Sequence, residues 1–185
     1  MNKHIFSFIA ATLLSSGTAN ATLIAHYEFD GDATDAVGGT AADGVNNGAS
    51  NTSDRFGMAN GAFFFNGSAN VSLSTVFGAD QTIMSVSAWF MRSADNGTWN
   101  DLLAGSCGGP IFGLDPTDTI TFGNQCENSI PHNQSSGVVL DTSIWHHAVG
   151  TYDGATLNVF LDNMILPTNS GHIVKRHFLP QKLLG

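Results

Sequence analysis

The chain has 185 residues, with 15 Asp plus Glu against 6 Lys plus Arg and a formal net charge of −9. So acidic a chain has too few cations to neutralise a run of phosphates, which excludes nucleic acid as a partner. Only two of the acids are Glu, at 28 and 127, and with 21 Gly and 13 Phe the composition points to short strands joined by many turns.

Met1-Asn2-Lys3-His4 is a positive head, residues 5–14 form an apolar run, and Ala19-Asn20-Ala21 has the small-x-small form of a cleavage site. The run falls short of the roughly 20 residues that cross a bilayer, so residues 1–21 read as a signal peptide, with an apolar first strand as the alternative. No second hydrophobic span follows. The expectation is an exported protein, periplasmic, secreted or on the extracellular surface, with no transmembrane segment in the mature chain. What remains is long enough for one domain with its own core.

Residues 23–29 read as the first strand, stopping at Asp30-Gly31-Asp32. Residues 30–51 show no periodicity, and Val37 and Val45 are the expected inward anchors. A loop this long is functional or held by something. Asp30, Asp32, Asp35 and Asp43 offer hard oxygen ligands of the kind Ca²⁺ takes, although not at EF-hand spacing. The cluster is therefore either a structural calcium site or a solvated turn. Glu28, Asp30 and Asp32 also alternate as the carboxylates of a retaining glycosidase would along a strand, but Gly31 argues that the strand has ended there.

Phe63 and Phe65 share one strand face and Phe64 takes the other, while residues 70–74 form a short alternating strand. Residues 83–91 set Ile83, Ser85, Ser87 and Trp89 against Met84, Val86, Ala88 and Phe90, the pattern of a central strand. The polar loop at 92–101 holds Trp99 near Asn96, Asn100 and Asp101. Trp99 is either a sugar-stacking platform with Asn96 and Asn100 as its amide partners, or a plug over the end of a sandwich. Cys107 and Cys126 are the two cysteines, and in an oxidising compartment one bridge between them is expected, with free buried thiols or metal ligation as the alternatives.

The clearest pattern lies at 145–163. Two period-two runs flank Asp153-Gly154, and a second turn follows at Asp162-Asn163, which predicts a hairpin within a larger all-β sheet. His146 and His147 are neighbours on a strand, so they face opposite sides and cannot share a metal. The sequence holds no HExxH, Gly-x-Ser-x-Gly or phosphate-loop motif.

Taken together, Tyr27-x-Phe29 with the turn at 30–35, Asn46-Asn47-Gly48, Arg55-Phe56-Gly57, Gly61-Ala62-x-x-Phe65-x-Gly67, residues 84–90, and 145–154 continuing through Phe160-Leu161-Asp162-Asn163 resemble a laminin G-like domain of the concanavalin A-like lectin/glucanase superfamily. The resemblance covers about residues 23–166. It implies a two-sheet antiparallel jelly-roll sandwich, often with a calcium ion at one rim, that binds glycans or surface proteins. It also maps the calcium ligands of the early loop onto Asp30 and Asp35, while the family's closing strand, a Gly-x-Ile-Asp-Asp/Glu-x-Arg run, is absent here. Residues 22–166 are the expected domain and 167–185 a divergent basic tail in place of the last strands. The implied function is a non-catalytic recognition module for carbohydrate. Calcium is its expected structural cofactor, and the alternatives are a structural or adhesive domain for surface proteins and a glycoside hydrolase built on Glu28 and its neighbouring Asp.

Overall fold

The computed structural model describes residues 22–39, 42–73, 83–95, 97–105, 109–124, 133–135, 138–165 and 168–170. The expected signal peptide lies outside them. In chain order the strands are β1 (Val45–Asn47), β2 (Ser50–Thr52), β3 (Ala62–Phe64), β4 (Asn70–Ser72), β5 (Met84–Met91), β6 (Asn100–Ala104) and β7 (Pro110–Leu114). They continue with β8 (Ile120–Asn124), β9 (Asn133–Ser135), β10 (Trp145–Tyr152), β11 (Leu157–Leu161), β12 (Met164–Ile165) and β13 (Thr168–Ser170). No helix occurs among the described residues.

Two antiparallel sheets dominate, with orders β12-β11-β10-β5 and β13-β9-β8-β7-β6, and the ribbons β1-β4 and β2-β3 stand beside them. The sheets are not closed into a barrel, which makes the fold an open jelly-roll sandwich. Alternation does the sorting. On β5 and β10 the pairs Met84↔Tyr152, Val86↔Gly150, Ala88↔Ala148 and Phe90↔His146 belong to the inward parity, and the intervening residues face out. Leu157, Val159 and Leu161 continue the inward set on β11. The opposing sheet supplies Leu102, Leu103, Phe112, Leu114, Ile120 and Phe122 to the same core. A smaller core of Ala33, Phe63, Phe65, Ala69 and Val71 lies under the ribbons, and Leu73 packs against both cores.

The sheets meet where Gly150 faces Phe122. A Cβ built on Gly150 would stand 2.5 Å from Phe122 Cγ, so the ring occupies the space a side chain would need. At one end of the sandwich, Arg92, just past β5, pairs with Asp118 in the β7–β8 turn, and its guanidinium also donates to Leu140 O at 2.9 Å. Leu140 N donates to Asp118 O at 3.3 Å and Ser143 N to Arg92 O at 2.7 Å, so both sheets and the entry to β10 are tied at one point.

Several sequence expectations need correction. Residues 23–29 form no strand, only the isolated bridge Tyr27↔Asp35, because Phe29 turns to a φ of 56° and breaks the extended run. Val37 and Val45 are exposed at 45% and 62%, and Ala33 is the loop's apolar anchor instead. The expected Cys107–Cys126 bridge is overturned, since no cysteine pair stands at or near disulfide distance. Both cysteines lie outside the described residues. Residues 168–170, which the sequence assigned to the tail, pair with β9.

Gly150→Ala is expected to lower stability by about 1–3 kcal/mol through overpacking against Phe122. Arg92→Ala, which leaves Asp118 buried and unpaired, should cost about 3–5 kcal/mol. Equilibrium unfolding in denaturant checks both; unchanged midpoints would show that neither contact clamps the sheets.

Candidate functional site

The acidic loop after Tyr27 is organised by Asp35. This side chain is 3% exposed, and its two oxygens accept the backbone N–H groups of His26 (2.8 Å), Val37 (3.0 Å) and Gly38 (2.8 Å). Its own N–H donates to Asp43 Oδ1 at 2.9 Å. The His26 N–H foremost, assisted by those of Val37 and Gly38, holds the Asp35 carboxyl below the usual range against the opposing effect of burial. The Tyr27 hydroxyl donates to Ala42 O at 2.7 Å, and burial, then the Asp35 and Asp43 carboxylates, pushes it up to about 12.

Calcium needs about six to eight free oxygen ligands. Asp35 has both oxygens committed to N–H donors, Asp30 is exposed, and among the described residues no three His, Cys, Asp or Glu side chains converge. Calcium at Asp30 and Asp35 rests on the resemblance alone. The turn at Phe29 also breaks the shared strand face that Glu28, Asp30 and Asp32 needed as hydrolase carboxylates, and Asp32 Oδ1 instead accepts the Thr34 N–H at 2.9 Å.

Of the expected rim residues, the structure describes Trp99 and Asn100. Asn96 lies outside the described residues, Trp99 is half-buried, and Asn100, the first residue of β6, turns its Nδ2 back to Thr98 O at 2.8 Å.

An aromatic cluster that the sequence reading missed lies on the outer face of the four-stranded sheet. Trp89 on β5 and His147 on β10 are direct cross-strand partners, and their rings stack with centroids 4.7 Å apart. Arg55, from the turn between β2 and β3, places its guanidinium 4.5 Å from the Trp89 ring centroid and 4.3 Å from that of Phe56. Ser87 Oγ lies 2.8 Å from His147 Nε2. Trp89 is 42% exposed and Phe56 74% exposed. The parity of residues 83–91 already placed Trp89 opposite the core-facing set, but only the β5–β10 register brings His147 beside it, and only the tertiary fold brings Arg55.

His146, inward and buried, directs Nδ1 to Asp162 Oδ2 at 2.9 Å, while Asp162 Oδ1 accepts the His147 N–H at 2.8 Å. Burial pushes the Asp162 carboxyl up, but the His147 N–H and the His146 ring outweigh it and hold it below the usual range. One carboxylate at the β11–β12 turn thus fixes both histidines, one into the core and one onto the outer face.

The fold is that of an open antiparallel jelly-roll sandwich. A family model described as the concanavalin A-like lectin/glucanases superfamily, in its laminin G-like branch, matches residues 65–164, more than half of the chain. The chain belongs to that family. No curated protein and no solved structure matches it.

Asp32, Asp35, Asp153 and Asp162 all have carboxyls held below the ordinary aspartate value, which is about 3.9. A group with a depressed folded pKa contributes stability that is complete above the unfolded value and lost as pH falls through the folded one. The melting temperature is therefore expected to hold at neutral pH and decline progressively below about pH 4. Asp35→Asn should lower it at neutral pH, because the carboxylate gathers the N–H groups of His26, Val37 and Gly38; an unchanged melting temperature would show that Asp35 does not hold the loop.

Proposed function

We propose that this chain is an exported, non-catalytic recognition module that binds carbohydrate on the outer face of the β12-β11-β10-β5 sheet. The observation that carries the reading is the cluster of Trp89 and His147 on the paired strands β5 and β10, joined by the exposed Arg55 and Phe56 from the turn between β2 and β3. Aromatic rings offer flat apolar surface to the C–H faces of a pyranose, and the guanidinium and imidazole supply hydrogen bonds to its hydroxyls. Membership of a family that includes lectins supports the same class of ligand. No helix among the described residues is long and apolar enough to cross a membrane, and export rests on the leader-like residues 1–21.

A protein partner on the same face is the second reading, favoured by Met91, 42% exposed on the same face of β5 as Trp89.

The test is retention of the folded chain on a panel of insoluble polysaccharides. Trp89→Ala and Phe56→Ala are each expected to weaken retention by roughly tenfold or more, equivalent to about 1.4 kcal/mol, while Trp99→Ala and Glu28→Gln leave it unchanged. Loss in Trp99→Ala alone would move the site to the rim, loss of a hydrolytic activity in Glu28→Gln would make the chain an enzyme, and no retention on any polysaccharide would favour the protein partner. Export is checked separately by N-terminal sequencing of secreted material, expected to begin at Thr22.

A further inference from the structure

Three Asn-Gly pairs lie wholly within the described residues, at 47–48, 60–61 and 66–67; Asn96, of a fourth, lies outside them. Such a pair carries its own electrophile and nucleophile, because a glycine nitrogen without a neighbouring side chain can approach the asparagine Cγ. Three atoms govern the reaction. The glycine nitrogen must be free to lose its proton, the side-chain oxygen must accept negative charge, and the amide nitrogen must be free to leave.

The structure separates the three pairs on these grounds. Asn47 Nδ2 is tied to Val45 O (3.1 Å), Asn70 Oδ1 (2.9 Å) and Ser72 Oγ (2.9 Å), which restrains the leaving group. Gly61 N donates to Met58 O at 3.3 Å, and the Asp54 side chain lies 3.0 Å from where a Cβ would stand, so this nucleophile is engaged and crowded. At the third pair the arrangement is reversed. Asn66 Oδ1 accepts the N–H groups of Ser68 (3.0 Å) and Ala69 (3.1 Å), no described residue accepts the Gly67 N–H, and the space around the Gly67 α-carbon is open. Two backbone donors on the oxygen that gains charge are the arrangement by which oxyanion holes stabilise tetrahedral intermediates.

We propose that Asn66-Gly67 is a site of self-catalysed deamidation. The Gly67 nitrogen gives up its proton and attacks Asn66 Cγ, forming an N–C bond while the carbonyl electron pair moves onto Oδ1 between the Ser68 and Ala69 N–H groups. Collapse of this intermediate breaks the Cγ–Nδ2 bond, and the amide leaves as ammonia with the proton released from Gly67. Water then opens the succinimide at either carbonyl to give an aspartyl or isoaspartyl residue. One water is consumed and one ammonia is released, and the new carboxyl passes its proton to that ammonia, so the chain gains one negative charge with no oxidation or reduction. The isoaspartyl product lengthens the backbone between Phe65 and Ala69, both buried in the smaller core, so the modification loosens that core.

The experiment holds the full chain folded at mildly alkaline pH, and a second sample unfolded in guanidinium chloride, and follows each pair by peptide mass mapping that separates the two products. In the folded chain position 66 is expected to convert about tenfold faster than 47 or 60, a factor that one hydrogen bond's worth of barrier supplies, and in the unfolded chain the three rates should converge. A folded chain in which 47 or 60 converts as fast as 66 overturns the proposal. So does one in which 66 keeps its amide over a period that converts it in the unfolded chain.

Discussion

The ion pair between Arg92 and Asp118 is the contact on which the sandwich's geometry depends. Both side chains are almost fully buried, and a lone charge in that position is far costlier than the pair. The end of β5, the β7–β8 turn and the segment entering β10 must therefore arrive together. Asp118 reaches its place through a φ of 62°, a conformation that Asp tolerates better than most residues, so the turn's backbone is shaped to present the carboxylate. Once that corner is fixed, the eight-residue register between β5 and β10 is set, and with it the position of every outward side chain on the candidate face.

The sequence made the long strands legible because each has one buried face. Residues 83–91 and 145–161 alternate cleanly, and the observed strands, turn at Asp153-Gly154 and second turn at Asp162-Asn163 follow that pattern. The early loop was harder to read. Its order comes from one buried carboxylate gathering backbone N–H groups, a role that leaves no periodic trace, and its two valines point outward. The strands β9 and β13 are three residues each, too short for alternation to announce them.

The site was less legible than the fold for a similar reason. A tryptophan in a polar loop attracts attention, as Trp99 did, whereas Trp89 sits within a strand and reads as a packing residue until its partners are known. His147 is 58 positions from Trp89 and Arg55 is 34 positions away in the other direction, so neither proximity can be inferred from spacing. The acidic residues were visible, but the use of their oxygens was not: Asp35, Asp54 and Asp153 all accept backbone N–H groups, which makes much of the chain's negative charge part of its turns.

The meeting of Gly150 and Phe122 also has a spectroscopic meaning. An aromatic ring held against a glycine shields that residue's α-protons by its ring current, and the shielding vanishes when the ring is free to leave. Because the ring belongs to one sheet and the glycine to the other, the Gly150 α-proton resonances act as a built-in gauge of whether the two layers are joined, independent of whether either sheet has formed its own hydrogen bonds. The chain thus contains, at one position and without any label, a means of distinguishing sheet formation from sandwich assembly.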